Sequence, residues 1–517
     1  MQNRVKKNWG QSPIYSFFLK EKGSGILSHF MKRRTFLKTV GKASTAIILP
    51  PILAGCQTTK KQPPNILWIA VEDISPLMSC YGYETCATPN LDRLAENGVR
   101  FDHTFMPAPV CSACRSALIT GMMQTTTGLH NHHSSRSEET AIHLPNDIKT
   151  LPELFREAGY FTFNHGKDDY NFWYDRENLY SGEYTTHKLY GKSGKKVDWN
   201  APREPGQPFF GQIQLRGGKH IYNKNFKNLI RNPVDRNAFE LPPYYPEHPM
   251  IREDWAQHLD CIQMTDDEVG QIIERLKQDG ILENTVIFFF SDHGMRLWRH
   301  KQFCYDSGLF VPFIMSWPGN PNQLGGKGKV REDLVNGLDI SATSLALAGI
   351  PIQDYMESRD LFAKRFKPRE FIISARDRCD FTIDRIRTVR TKQFRYIRNF
   401  LTDRPYMQPN YRDEWEITKI IRKLHAEGKL NPIQDRFWSE ERPAEELYDL
   451  ENDPHEIHNL AFDSSYLEEL QGHRNTLENW IKETDDKGQY PEDKTNLKYM
   501  FDWWGEKCVN PEYDIFR

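Results

Sequence analysis

"NILWIAVED", Asn65 to Asp73, is an apolar run closed by two acids. It lacks the every-other-residue alternation of a strand with one wet face, so it reads as a strand buried on both sides, the kind found in the middle of a parallel sheet. Its acids then fall at the carboxyl end of the strand, where open α/β sheets bind ligands. "TVIFFFSDHG", Thr285 to Gly294, repeats the scheme with acid and histidine at its end. Between and beyond these runs lie helix signals. "TPNLDRLAENG" offers Thr88 as N-cap, Pro89 at the first helical position and Gly98 past the end. "TLPELFREAGYFTFNHGK" has Thr150 and Glu153 spaced as a capping box, Gly159 as a stop, and a strand running into His165 and Lys167. "PFFGQIQL" (Pro208 to Leu215) and "VPFIMSW" read as further strands, the stretch from about Thr265 to Lys277 as a long helix, and "ISATSLALAGI" as another helix. The alternation predicts a doubly wound α/β sheet with helices on both faces.

The chain has 517 residues, enough for a large core and more than one domain. With 68 Lys and Arg against 70 Asp and Glu it is close to neutral, and no long basic run lies beyond the N-terminus, so no nucleic-acid footprint is visible. Any polyanion must therefore be bound locally. The 12 Trp and 22 Tyr are a generous supply, most of it read as core, although aromatic, Arg-rich surfaces suit sugars as well.

"MKRRTFLKTVGKASTAIILPPILAGC", Met31 to Cys56, reads as an address. Its twin arginine, Arg33 and Arg34, precedes a mildly apolar stretch, as in Tat export signals, which makes Met31 a candidate start and the Tat translocon a partner. "LAGC" resembles a lipobox with Cys56 as the acylated residue. A retained spanning anchor is the alternative, but the run is short, contains Lys42 and two prolines, and falls below the roughly 20 residues needed. The expected product is an exported protein of the periplasm or cell envelope, held to a membrane only by a lipid. On this reading residues 1–56 are the signal region and 57–64 a polar linker.

"VCSACRSALITG", Val110 to Gly121, admits three readings: a redox dithiol, half of a zinc site, or a modified nucleophile. The first normally follows the opening strand of a thioredoxin-like unit, which is not visible here. The second needs another cysteine pair of similar spacing, and none of the nine cysteines supplies it. The third fits Cys111-x-Ala113-x-Arg115 followed by Thr120-Gly121, which resembles the type-I sulfatase consensus. Further resemblance to that family lies in "TPNLDRLAENGVRFDHTF", Gly159 to Lys167, "VIFFFSDHG", "VPFIMSWPG", "LDISATSLALAGIP" and "ELYDLENDPHEIHNLA" (Glu446 to Ala461). It covers nearly everything after residue 62. The tail and "IRTVRTKQFRYIRNF" look most like heparan N-sulfatase (sulfamidase) and bacterial polysaccharide sulfatases, including those acting on ulvan.

The resemblance implies an alkaline phosphatase-like fold with a smaller C-terminal α+β domain built on an antiparallel sheet; the expected division is a catalytic domain 65–365 and a C-terminal subdomain 366–517. It implies that a formylglycine-generating enzyme oxidises Cys111 to formylglycine, while Cys114 is structural. It implies Ca2+ ligands at Glu72, Asp73, the modified Cys111, Asp292 and His293, where Glu72 replaces the usual Asp; the donor set by itself also suits a smaller hard cation. Arg115 is expected to hold the diol and sulfate, Lys167 and Lys301 to contact sulfate, and His220 to protonate the leaving group. One diol oxygen attacks sulfur, the sugar alcohol or amine leaves, and the second oxygen expels sulfate. Two histidines usual in relatives are replaced by Asp169 and Thr125, leaving His165 or the cluster His130, His132 and His133 as substitutes. Arg376, Asp377 and Arg378 are expected to read a uronic acid carboxylate. The expected substrate is a sulfated polysaccharide or its oligosaccharides. Rival readings are a phosphodiesterase or phosphonate hydrolase of the same superfamily, and a catalytically silent glycan-binding lipoprotein.

Overall fold

Asn65–Val71 forms β1, buried along its whole length between two parallel neighbours, β4 (Phe209–Leu215) and β5 (Thr285–Ser291). Such burial on both faces is the reason its residues are apolar without alternation. The computed structural model describes residues 62–181 and 197–517; Met31, Arg33, Arg34, Cys56 and most of the linker lie outside them. Residues 63–517 pack as one unit. With β2 (Val99–Phe105), β3 (Phe161–His165), β6 (Phe313–Ser316) and β7 (Lys329–Asn336), the first sheet has seven strands in the order β3-β4-β1-β5-β6-β2-β7.

Helices Pro89–Glu96 and Pro249–Gln278 pack together in one layer, and Cys111–Thr120, Leu151–Glu157 and Asp339–Ala348 in another. Trp68 joins the second layer to the sheet: its indole N–H donates to Ser344 Oγ at 2.9 Å, and its ring meets Phe210 and Phe290 edge-on at 5.3 and 5.4 Å. Truncating so large a buried ring costs about 3–5 kcal/mol. The capping box is present, with the Thr150 backbone N–H donating to the Glu153 carboxylate at 2.7 Å.

The sheet is mixed. β6 runs antiparallel to both β5 and β2. A parallel return demands a long crossover, usually helical. The segment between β5 and β6, residues 292–312, contains only the short helix Asp306–Leu309 and otherwise runs as loop, so no long helix carries the chain across the sheet. A second, four-stranded antiparallel sheet follows: β8 (Ile372–Arg376), β9 (Ile386–Arg390), β10 (Phe394–Asn399) and β11 (Glu445–Asp449) in the order β11-β10-β9-β8. Among the described residues no helix is long and apolar enough to cross a membrane.

Buried charges join the two sheets. Asp306, on the β5–β6 segment, pairs with Arg390 of β9 at 3.1 Å and with Arg395 of β10, while Arg395 Nε lies 3.0 Å from Glu456. Burial, reinforced by the neighbouring Asp306 charge and only partly offset by Arg395 and Arg299, pushes the Glu456 carboxyl up to about 8. Between the ordinary value of 4.5 and about 8, the folded protein retains a proton that the unfolded chain has lost, so stability falls as pH rises through that window. Glu456→Gln is therefore expected to gain stability relative to wild type over this range, by about 1.4 kcal/mol per pH unit at most. Melting temperatures of both proteins across the window check it; parallel profiles would contradict it.

Candidate active site

The parallel register of β1 and β5 sets Val71 opposite Ser291, so the acids that follow each strand emerge side by side. Asp292 N–H donates to Val71 O at 2.9 Å, and Asp73 N–H to Asp292 Oδ1 at 3.2 Å. Asp73 turns the chain through left-handed backbone at φ 59°. His293 Nδ1 donates to Gly294 O at 2.9 Å in the tautomer that leaves Nε2 facing Asp73 Oδ1 at 3.2 Å and Asp292 Oδ1 at 3.6 Å.

Cys111 begins the helix Cys111–Thr120, and Arg115 follows at i+4 on the same face. Two guanidinium nitrogens of Arg115 lie 2.9 Å from Asp292 Oδ2, and a third donates to Gln214 Oε1 at 2.6 Å. Cys111 Sγ, which marks where a modified Cys111 would present its reactive group, is 3.2 Å from His293 Nε2 and 3.1 Å from Lys301 Nζ. Burial opposes thiol ionisation, yet Lys167, Lys219, Lys301 and His293 together bring the thiol down to about 6. Cys114 behaves oppositely, since burial and the Asp292 charge hold its thiol well above the ordinary range.

Three ammonium groups converge here. Lys167 Nζ is 3.1 Å from both Glu72 and Asp169, Lys301 Nζ is 3.0 Å from Asp73, and Lys219 Nζ pairs with Glu72 and stands 3.9 Å from Cys111 Sγ. Although burial opposes it, Lys167, Lys219 and Arg115 hold the Glu72 carboxyl far below the usual carboxylate range. Lys219, Lys301 and His293 do the same for Asp73. Such a cluster can take an anion whose oxygens replace carboxylates as partners of the lysines.

Lys219 is the residue that sequence reasoning missed. The expected His220 instead faces Glu268 on the helix Pro249–Gln278, with Nε2 at 3.1 Å, and is fully buried. The cause is local. Gly217 and Gly218 press against the backbone that follows β1, where an added Cβ would stand 2.1 Å from Glu72 O and 2.5 Å from Asp73 O. The chain then enters a 3-10 helix, Gly217–Tyr222, in which successive residues point about 120° apart, so only one of the Lys219–His220 pair can face the cluster. Lys219→Ala is expected to lower kcat/KM by roughly 10²- to 10³-fold. His220→Ala should instead cost about 1–3 kcal/mol of stability while kcat of the folded protein stays near wild type. Steady-state kinetics beside thermal melts separate the two, and the reverse pattern would restore His220 to the reaction.

Beside the lysines lies a histidine group. His132 Nδ1 is 2.5 Å from Ser112 Oγ, its ring stacks on His133 at 3.7 Å, and His133 Nδ1 is 2.6 Å from Asp380. Asp169 is held by Arg136 at 2.6 Å. Asp73, His133, Asp169 and Asp380 all carry left-handed backbone, with φ of 59, 60, 58 and 54°. Asp and His enter this region more readily than most side chains, so the cost at each is modest. His165 ends β3, and Thr125 is buried with its carbonyl accepting from Lys487 N–H at 2.9 Å.

Arg376, Asp377 and Arg378 do not offer free groups to a uronic acid. They are 3, 5 and 2% exposed, and each is engaged within the chain: Arg376 with Asp384 at 3.3 Å, Asp377 with Arg387 at 3.1 Å, Arg378 with Glu492 at 2.6 Å. The eight cysteines among the described residues are free thiols.

Two overlapping donor sets, Asp73–Cys111–His293 and Glu72–Cys111–Asp292, each bring their ligand atoms within 4.8 Å of one another. Carboxylate oxygens with one imidazole nitrogen, itself fixed by a backbone carbonyl, fit a hard divalent cation.

Residues 64–350 match the family model described as Sulfatase. Over 498 residues the chain is 30% identical to the ulvan-active sulfatase of Formosa agariphila, covering 88% of this chain and 79% of that protein. It is 26% identical over 471 residues to the N-sulphoglucosamine sulphohydrolase of Homo sapiens, covering 83% of this chain and 91% of that one. Among solved structures, BT1596, a 2-O GAG sulfatase, superposes with a TM-score of 0.58 at 21% identity over 84% of this chain and 96% of its own, a likeness of fold.

Proposed function

Because the chain belongs to the sulfatase family and is a sulfuric ester hydrolase, we propose that it desulfates a polysaccharide of the ulvan or glycosaminoglycan type, or its oligosaccharides, through a formylglycine made from Cys111. The observation that carries this reading is the convergence of Lys301, Lys219 and His293 on Cys111 Sγ, beside the Arg115–Asp292 pair. The formylglycine would supply two geminal hydroxyls, one to attack sulfur and one to expel sulfate. Glu72, Asp73, Asp292 and His293 would hold the divalent cation, with calcium the ion proposed, and the cation would bind a sulfate oxygen and polarise the S–O bonds.

The chain's own groups do the rest. Lys167 and Lys301 would neutralise sulfate oxygens, and Arg115, immobilised by Asp292 and Gln214 one helical turn from residue 111, would hold the diol and sulfate oxygens. Lys219 stands nearest the nucleophile on the side of β4 and would hold a proton near the departing sugar oxygen or nitrogen. The match to the ulvan-active sulfatase across both sheets favours sulfur over a phosphonate or phosphodiester substrate. Peptide mass spectrometry of residue 111, followed by desulfation assays on ulvan, heparin and chondroitin sulfate oligosaccharides, tests the reading; a permanent free thiol with no product from any substrate would leave only a glycan binder.

Export by the Tat translocon and lipidation at Cys56 complete the proposal. A route for folded proteins lets modification precede translocation. Arg33→Lys with Arg34→Lys is expected to trap modified, active enzyme inside the cell, and Cys56→Ala to release or misplace it with unchanged turnover. Normal export of the double variant in cell fractions would refute the Tat route.

A further inference from the structure

Tyr222 shares the 3-10 helix Gly217–Tyr222 with Lys219, three residues later, and at three residues per turn their side chains lie one above the other. Lys219 points into the anion cluster; Tyr222 is 41% exposed. Two more rings join it from the far part of the chain. Trp415 lies 6.0 Å from Tyr222 and 5.9 Å from Tyr411, the latter pair edge to face. Both are half-buried.

The group is held firmly. Arg296, buried and paired with Asp254, lays its guanidinium over the Trp415 ring at 5.5 Å. Arg412, next to Tyr411, donates to the Lys301 carbonyl at 3.0 Å and to Gln302 Oε1 at 2.9 Å. Tyr411 is near enough to Lys301 and Asp73 for both charges to act on its hydroxyl. The rings are thus tied to two of the three lysines around Cys111, one through the turn after β4 and one through the Lys301 loop.

We propose that Tyr222, Tyr411 and Trp415 form a stacking platform for the pyranose ring that adjoins the sulfated residue. The proposal rests on the sulfatase reading of the cluster and adds the second sugar to it. A ring face is electron-rich and meets the C–H face of a pyranose favourably. An aryl sulfate fills the cluster but does not extend onto the platform. The platform therefore makes the enzyme a reader of oligosaccharides.

The test uses the full chain and tetrasaccharides cut from ulvan, heparin and chondroitin sulfate. Tyr222→Ala, at an exposed position, and Trp415→Phe are each expected to reduce the ratio of kcat/KM for the best tetrasaccharide to that for p-nitrophenyl sulfate, by at least tenfold for Tyr222→Ala. Tyr490→Ala, an exposed ring elsewhere on the surface, should leave the ratio unchanged. Calorimetric binding to the Cys111→Ala protein gives a readout independent of turnover. A tenfold weaker tetrasaccharide complex on adding Tyr222→Ala supports the platform even if no sulfate is released, in which case the sulfatase reading alone fails. Equal ratios and equal binding in variant and wild type, or no binding of any of the three tetrasaccharides, overturns it.

Discussion

Cys111→Ala is expected to lower turnover by roughly four orders of magnitude or more, because it removes the nucleophile around which the other groups are arranged. The fold should survive. Cys111 contributes one small side chain at a helix start, and its thiol is surrounded by Lys301 and His293, which then pair with Asp73. Cys114→Ser, one turn along, is expected to be processed and active: its thiol is buried, held protonated and free of any disulfide. The contrast excludes dithiol chemistry if it is seen, since a redox pair would lose function equally at either position. Activity on a sulfated oligosaccharide, read beside the mass of the peptide bearing residue 111, decides between them. Equal inactivation of both variants, with reductant-dependent activity in wild type, would overturn the assignment.

The fold was legible where one residue pattern has one physical cause. β1 and β5 were readable because a short apolar run that ends in acids fits few structures other than a central strand. The direction of β6 was not, since pairing depends on how the intervening segment returns, and "VPFIMSW" reads alike in either sense. The long helix begins at Pro249 rather than near Thr265; Ile251, Trp255, Leu259 and Ile262 recur at helical spacing and carry its first half, while its start is obscured by an unusual cap, the His248 side chain accepting from Met250 N–H at 3.2 Å.

The site divides in the same way. Glu72, Asp73, Asp292 and His293 follow strand ends, and Cys111 and Arg115 share a helix face, so position in the element carried most of the geometry. Lys219 and His220 differ by one residue in a 3-10 turn whose phase is set by Gly217 and Gly218 against β1, a contact with no local signature. Arg376, Asp377 and Arg378 have the composition of an anion reader, yet burial against Asp384, Arg387 and Glu492 turns the same charges into internal ion pairs.

Asp292 couples the chemistry to the stability of the site, and its variants should reveal both. One carboxylate oxygen takes two nitrogens of Arg115, and the other faces Asp73 N–H and His293. Asp292→Ala strands a guanidinium that is 5% exposed, leaving it only Gln214 and the Lys167 carbonyl, a loss of about 3–5 kcal/mol for half a buried pair. Inactivity in that protein would say little. Asp292→Asn keeps its single amide oxygen for Arg115 and gives up the acceptor of Asp73 N–H together with the charge, so it should lose less stability than the alanine variant, bind the divalent cation weakly, and turn over at least roughly 10²- to 10³-fold more slowly. Asp73→Asn is the matching variant, because asparagine tolerates the φ of 59° that alanine would resist. Metal content after dialysis against chelator, melting temperature and kcat/KM with and without added calcium make the comparison. Full activity of both asparagine variants in chelator would remove the carboxylates from cation binding, and would leave the lysines as the only partners of the sulfate.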